Sequence, residues 1–262
     1  MKNPLLTLRD GNQIPMEAGD TKFNQKLVDL IKTAIEKGFY HLDCAEMYGN
    51  EEEVGRAIHD SRVPREKLFI TNKVSQGIYN IRAAIEESLK KCRSSISTCI
   101  YLIHTPYFAK SDAEFQRAWK SMEEIKRAKL ANSIGVSNYL RPHVEATLVG
   151  ATISPALNQI EFHPYLQRGN DYLPWLRENG LQTLSRIAKA HNTTEAAVLI
   201  HWIIQNGVVA VTTTTNPGRL DEYAQALEIT LEENELQEIT DVGSTYHFRT
   251  SWSEHFEADD RS

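Results

Sequence analysis

The feature that most constrains the fold is the regular alternation of short apolar runs with longer amphipathic stretches. The runs begin about 30 residues apart, and the segments between them carry apolar residues at helical spacing. This alternation is typical of repeated βα units on a parallel sheet. We therefore predict strands at 39–42, 68–71, 100–103, 133–136, 156–160 and 207–211, and helices at 26–37, 81–91, 113–127, 193–205, 220–227 and 231–239. Start signals for three of the helices are Asn80, Ser111 and the segment 193–195.

The number of strands indicates an incomplete barrel. A closed (β/α)8 barrel needs eight parallel strands, and only six are visible. About 50 residues separate the starts of the last two runs, yet Leu181 leads directly into a helical pattern, and a similar gap lies near Met16. The predicted fold class is therefore α/β, a (β/α)8 barrel with pieces missing. We expect one domain over 1–262, with an N-terminal hairpin at 5–16 and C-terminal helices and a tail over 216–262.

Composition excludes several classes of partner. The 262 residues carry 29 basic and 35 acidic side chains, a net charge of −6, so no basic field is available for nucleic acid or an anionic membrane. The longest apolar stretch, 196–204, is interrupted by His201 and is too short to span a bilayer. Three cysteines without a CxxC pair fit a reducing cytoplasm. We expect a cytoplasmic monomer or weak dimer that acts on a small molecule.

Groups suited to proton transfer follow the predicted strands, at the edge where parallel barrels carry their active sites. Asp43 and Tyr48 follow the first run, Lys73 the second and His104 the third. A phenol is a weak acid at neutral pH, but a nearby ammonium favours the phenolate and lowers its pKa. Asp43 would hold Lys73 in its charged form, and His104 would orient a carbonyl oxygen. Together the four side chains form a candidate proton donor for a carbonyl.

Each of these residues also has an ordinary structural explanation. Taken singly, Asp43 is more often a cap, Tyr48 a packing residue and His104 a buried structural histidine. The prediction therefore depends on all of them occurring together. Glu161 and His163 share one side of an extended segment without a third ligand, so structural roles outweigh metal binding and no metal site is predicted.

Longer motifs resemble those of the aldo-keto reductase family. They are HLDCAEMYGNE at 41–51, EVG at 53–55, Lys73, LIH at 102–104, IGVSN at 134–138 and NQIEFHP at 158–164, in the family's order and spacing from about residue 10 to residue 239. The resemblance implies a (β/α)8 barrel that binds NADPH without a Rossmann domain and transfers hydride to a carbonyl. It also implies that Tyr48 is the general acid, that Asp43 and Lys73 tune it, and that His104 orients the substrate.

The resemblance further implies a set of binding residues. For the nicotinamide carboxamide they are Ser137, Asn138 and Gln159, and for the adenosine end they are Thr213, Thr214, Asn216, Arg219 and Glu222. Arg219 matches the ligand of the 2′-phosphate and Glu222 an adenine contact, whereas Thr213 replaces the family's usual phosphate-binding lysine. Tyr107 and Phe108 either belong to the core or line the substrate pocket.

The threonines at 212–215, the HTPYF segment at 104–108 and the tail at 247–256 are similar to fungal α-keto amide and conjugated polyketone reductases. That similarity implies α-keto acids, α-keto amides or diketones as substrates, in fungal secondary metabolism. The chain departs from the family near 16–19 and 181–184, where the first and seventh strands are expected. A natural deletion, an incorrect gene model or omitted residues would each produce these gaps. A non-catalytic cofactor-binding protein and a weakly active, incomplete reductase remain alternatives.

Overall fold

The computed structural model describes residues 5–8, 12–15, 24–92, 99–164, 181–212, 214, 216–245, 249–257 and 260. The strands are β1 (Leu5–Leu8), β2 (Asn12–Pro15), β3 (His41–Asp43), β4 (Phe69–Val74), β5 (Cys99–Ile103), β6 (Ser133–Ser137) and β7 (Asn158–Gln159). The helices are α1 (Gln25–Glu36), α2 (Glu51–Ser61), α3 (Ile81–Lys91), α4 (Asp112–Arg127), α5 (Arg141–Leu148), α6 (Leu181–Ala190), α7 (Glu195–Gln205), α8 (Gly218–Ala224) and α9 (Glu233–Ser244). Antiparallel pairing of β1 with β2 forms the hairpin at the N-terminus.

A five-stranded parallel sheet positions the candidate site. Its strand order is β3-β4-β5-β6-β7, so sequential strands are neighbours and all five carboxyl ends lie at one edge. Helices α2 to α5 lie in the chain between these strands, which gives the βα alternation predicted from the apolar spacing. This parallel sheet of sequential βα units confirms the predicted fold class, an α/β barrel of the (β/α)8 type with pieces missing.

Side-chain caps fix where several helices begin. Asn80 accepts a hydrogen bond from the Ala83 amide at the start of α3, and Thr194 does the same for the Ala197 amide at the start of α7. Ser111 is the N-cap residue of α4, but its side chain makes no capping hydrogen bond. Two of the three predicted start signals therefore act through a side-chain cap.

The predicted strand at 207–211 is wrong. Residues 207–211 adopt no strand conformation in the structure. Val208 and Val209 are exposed to 37% and 46%, whereas Ala210 is buried. A β-strand depends on ladder partners for its backbone groups, and these residues pair with no strand in the described part of the chain. The gap predicted near 16–19 lies outside the described residues.

The chain divides into two compact units. The first comprises 1–160 and 211–217, and one of its apolar clusters packs α3 and α4 against the sheet around Tyr101, Trp119 and Ile134. The second comprises 161–210 and 218–262. Its core joins α6, α7 and α9. The ring of Trp202 in α7 stacks on Phe162 with 5.4 Å between centroids.

One glycine allows close packing beside the site. A Cβ on Gly135 in β6 would lie 2.6 Å from the carbonyl oxygen of Leu157, closer than any side chain tolerates. This position therefore needs glycine for β6 to approach the segment that leads into β7. Within the residues that the structure describes, no helix combines the length and the hydropathy needed to cross a membrane.

Candidate active site

Four predicted residues meet at the carboxyl edge of the sheet in the first unit. Nζ of Lys73 lies 2.7 Å from Oδ2 of Asp43 and donates a second hydrogen bond, at 3.0 Å, to the carbonyl of Cys44. The Tyr48 hydroxyl lies 3.4 Å from Nε2 of His104. The Lys73 Nζ is 5.1 Å from the centroid of the Tyr48 ring. The structure therefore places carboxylate, ammonium, phenol and imidazole in consecutive contact.

Strand register explains why these side chains meet. Asp43 pairs with Thr71 across β3 and β4, and Lys73 follows Thr71 by two residues, so both side chains project from the same face. Lys73 in turn pairs with Leu102 on β5, two residues before His104. The parallel pairing of the strands thus places residues that are far apart in sequence next to each other at one edge of the sheet.

Glu46 holds the Tyr48 segment, a role not predicted from the sequence. Residues 46–48 form a 3-10 helix that ends at Gly49, whose φ is +62°. The Glu46 carboxylate accepts hydrogen bonds from the amides of Ser75 and Gly77, just beyond β4. These bonds join the tyrosine's segment to the strand that carries Lys73. The sequence feature that could have indicated this role is the acidic residue Glu46 inside the HLDCAEMYGNE motif.

A second unpredicted contact fixes the backbone of Lys73. The Asn72 side chain donates to Oε1 of Glu51 at 2.7 Å, and its Oδ1 accepts from the Lys73 amide at 2.8 Å. All three residues are buried. Buried polar groups are normally hydrogen-bonded, and these bonds let Asn72 and Glu51 hold the backbone of Lys73 in position.

Burial and the attraction between the two charges act in opposite directions on the pKa values of Asp43 and Lys73. Desolvation raises the pKa of Asp43, although Lys73 and Gln159 act in the opposite direction. For Lys73 burial acts to lower the pKa, but the charge of Asp43 and its hydrogen bond, together with Tyr48, raise it overall. The 2.7 Å contact and the raised pKa of Lys73 indicate an ion pair at neutral pH.

The prediction that the pKa of Tyr48 is lowered is wrong. Burial raises the pKa of its phenol above 10, and this effect exceeds the opposing influence of the Lys73 ammonium. The lysine does act in the expected direction, but desolvation of the phenolate is the larger cause. For His104, burial and the Lys73 charge lower the pKa to about 3, so its imidazole is neutral at physiological pH.

The residues expected to hold a carboxamide lie at the ends of β6 and β7. Oγ of Ser137 donates to the Gln159 carbonyl at 2.8 Å, and the amide of Asn138 donates to the same oxygen at 2.9 Å. Nδ2 of Asn138 bonds the carbonyl of His104, and Nε2 of Gln159 lies 3.1 Å from Oδ2 of Asp43. A hydroxyl and two amides supply both donors and acceptors, which fits the amide group of a nicotinamide.

The other predicted binding residues are distributed over both units. Thr214 is buried, and its Oγ1 accepts from the amide of Asn216, whereas Thr213 lies outside the described residues. In the second unit, Arg219 and Glu222 lie in α8, the former exposed and the latter half-buried.

The aromatic pair that follows His104 shows two different environments. Tyr107 is half-buried. Phe108 packs edge-on against Phe115, with 5.8 Å between ring centroids, at the margin of the core that joins α4 to the sheet. The structure therefore gives Phe108 a packing role.

Glu161 and His163 interact with each other and with the tail. The two side chains lie 3.0 Å apart, and Glu161 accepts hydrogen bonds from the amides of Thr250 and Ser251. These bonds lower the pKa of Glu161 to about 2 against the effect of burial, which alone would raise it. Among the described residues, no three His, Cys, Asp or Glu side chains are grouped so that they could hold a metal ion.

A family model described as "Aldo/keto reductase family" matches residues 15–183 and 174–244. The chain belongs to this family. The predicted resemblance is therefore confirmed, and with it an NAD(P)-dependent oxidoreductase. The segment 174–183 is shared by the two matches, close to one of the gaps predicted from strand spacing.

Relatives with assigned activities cover most of the chain. It is 35% identical over 251 residues to the NAD/NADP-dependent indole-3-acetaldehyde reductase of Schizosaccharomyces pombe, covering 87% of this chain and 88% of that protein. It is 32% identical over 228 residues to the glyoxal reductase of Bacillus subtilis, covering 80% of each. The solved aldo/keto reductase from Brucella melitensis is 30% identical with a TM-score of 0.74, covering 92% of this chain and 98% of that one. The likeness to this aldo/keto reductase structure therefore covers most of the chain.

Proposed function

We propose that this chain is an NADPH-dependent carbonyl reductase that converts an aldehyde or an activated ketone to an alcohol. The observation that carries the proposal is the continuous contact from Asp43 through Lys73 and Tyr48 to His104. It combines a proton donor with a neutral hydrogen-bonding group at one edge of the sheet. A carbonyl carbon accepts hydride only as its oxygen gains a proton or a hydrogen bond, and this cluster can provide both.

We assign the proton donor to Tyr48 rather than to His104. With a pKa of about 3, only about one His104 imidazole in ten thousand is protonated at pH 7. The neutral ring can still donate one N–H hydrogen bond, which suits it to orient the carbonyl oxygen. Tyr48 retains its proton at neutral pH, and Lys73 stabilises the phenolate that remains after transfer. Solvent returns the proton when the alcohol leaves.

The reduced nicotinamide supplies the hydride when it is bound. Ser137, Asn138 and Gln159 would hold its carboxamide, since they lie beside the catalytic cluster with the matching donors and acceptors. At the adenosine end, Thr213, Thr214, Asn216, Arg219 and Glu222 would bind the 2′-phosphate and adenine. The preference for NADPH over NADH then depends on the Arg219 charge, because threonine replaces the usual lysine at 213.

The proposed substrates carry a second electron-withdrawing group next to the carbonyl, as in α-keto acids, α-keto amides and diketones. A neighbouring carbonyl makes the carbon a better hydride acceptor. The similarity to a protein named glyoxal reductase supports this class, because glyoxal has two adjacent carbonyls. The indole-3-acetaldehyde reductase supports a simple aldehyde as the other class. We also propose a cytoplasmic protein of fungal secondary metabolism, on the resemblance to the fungal reductases.

Replacing Tyr48 with Phe tests the proposed reaction. Carbonyl-dependent oxidation of NADPH should fall by about 10² to 10⁴ in Tyr48→Phe, because the proton donor is lost while the ring and its packing remain. Tyr79→Phe is the matched control, since this tyrosine is 85% exposed and should retain full activity. Unchanged turnover in Tyr48→Phe would refute the assignment.

Cofactor binding separates the reductase from a non-catalytic protein. Fluorescence titration with NADPH and NADH should show binding to both the wild-type protein and Tyr48→Phe, with tighter binding of NADPH. Binding without turnover by the wild-type protein, across glyoxal, an α-keto amide and a simple aldehyde, would instead identify a cofactor-binding protein. Weak binding together with weak turnover would identify an incomplete reductase.

A further inference from the structure

The contact between Gln159 and Asp43 links the predicted cofactor residues to the proton-transfer cluster. Nε2 of Gln159 lies 3.1 Å from Oδ2 of Asp43, across 116 positions of sequence. The same oxygen receives the Lys73 ammonium at 2.7 Å. The other oxygen, Oδ1, is buried and has no hydrogen-bond partner among the residues that the structure describes. One carboxylate oxygen therefore receives both donors.

The backbone of Gln159 is held so that its amide reaches this carboxylate. Its carbonyl oxygen accepts from the Ser137 hydroxyl at 2.8 Å and from the Asn138 amide at 2.9 Å. Gln159 also pairs with Ser137 in the parallel ladder of β6 and β7. These bonds fix a strand of only two residues, and a fixed backbone directs the side chain that leaves it.

A buried carboxylate beside a lysine needs further hydrogen bonds to remain ionised. Asp43 is 3% exposed, and burial raises its pKa while the Gln159 hydrogen bond lowers it. Among the described residues, the titratable groups of this cluster are Lys73 from β4, Tyr48 from the 3-10 helix, Cys44 next to Asp43 in sequence, and His104 beyond β5, whose imidazole interacts with the Lys73 charge. Gln159 adds to this cluster an uncharged donor that does not titrate.

We propose that Gln159 is a positioning residue for Asp43: its Nε2 donates the hydrogen bond that, together with Lys73, fixes Oδ2 and favours the charged carboxylate. An ionised, fixed Asp43 keeps Lys73 protonated and directs the ammonium toward Tyr48. This role is additional to any contact with a nicotinamide carboxamide. The kinetic consequence of this role rests on the proposed reductase function, whereas its structural consequence does not.

The structural consequence is measured in the protein without cofactor. Carboxyl ¹³C NMR of aspartate-labelled protein should show a higher apparent pKa for Asp43 in Gln159→Met, because the variant lacks the donor but keeps the side-chain length. Gln159→Glu should raise it further, since a second carboxylate would lie beside the first. Asn158→Ala is the matched control. Asn158 bonds the Tyr139 backbone rather than the cluster, so this variant loosens β7 without removing the amide of Gln159.

The kinetic consequence is measured at a saturating concentration of NADPH. In Gln159→Met, kcat should fall about tenfold and the acid limb of its pH profile should move to higher pH. If Gln159 only contacts the cofactor, the KM for NADPH rises while the kcat profile and the Asp43 titration stay unchanged, and that result overturns the proposal. An equal shift of the Asp43 titration in Asn158→Ala also overturns it, because loosening the strand would then be sufficient. Absence of all turnover would refute the proposed function, whereas the NMR titration would still decide the role of Gln159.

Discussion

Replacing Lys73 with methionine should destabilise the first unit by about 3 to 5 kcal/mol. The ammonium and the Asp43 carboxylate are 2% and 4% exposed and lie 2.7 Å apart. At an effective dielectric constant of about 20, two unit charges at this distance attract by roughly 6 kcal/mol before desolvation is subtracted. Methionine fills the space of the stem but leaves a buried carboxylate that, among the described residues, keeps Gln159 as its one side-chain donor. The expected cost is that of a buried charge without its partner.

A double-mutant cycle separates the ion pair from packing. Asp43→Leu should also destabilise, but the double variant with Lys73→Met should be less destabilised than Lys73→Met alone, because no isolated charge remains. The exposed pair Arg82–Glu86, at 3.0 Å on α3, is the control, and Arg82→Met should cost about 0.5 kcal/mol or less.

Amide hydrogen exchange on β4 is the suitable assay. The chain has two compact units that can open at different free energies, and exchange at individual amides assigns the effect to the unit that carries the site. The exchange rates of the amides in β4, the strand that carries Lys73, measure the local free energy of opening directly. Additive effects of the two substitutions would refute the reasoning, since they would show that the charges do not interact.

Two further predictions concern stability. The pKa of His104 is about 3 in the folded protein and 6.5 in the unfolded chain. The unfolded chain therefore binds the extra proton as the pH falls below 6.5. Acidification toward pH 3 should remove up to about 5 kcal/mol, and urea titrations across this range should show a weaker pH dependence in His104→Gln. A Cβ on Gly55 would lie 2.3 Å from the Lys91 carbonyl oxygen, so Gly55→Ala should lower the melting temperature through overpacking of about 1 to 3 kcal/mol. An unchanged melting temperature would contradict the contact between α2 and the end of α3.

Local chemistry in the sequence was sufficient to predict much of the first unit. The apolar runs that start near Phe39, Leu68 and Ile100 correspond to β3, β4 and β5, because short buried strands between amphipathic helices leave a pattern independent of the rest of the chain. The segment 207–211 carries a similar apolar pattern but forms no strand. Its conformation depends on ladder partners, which a pattern within the segment does not reveal.

Sequence alone determined the identities of the catalytic candidates and the strand ends to which they belong. Asp43, Tyr48, Lys73 and His104 follow three successive runs, and parallel strands bring their carboxyl ends together. The tertiary structure decided how these groups interact. It showed that burial raises the pKa of Tyr48 despite the lysine, and that Gln159 reaches the Asp43 carboxylate. Desolvation and contacts between distant residues depend on which atoms exclude water around each group, and only the folded arrangement of the strands determines that.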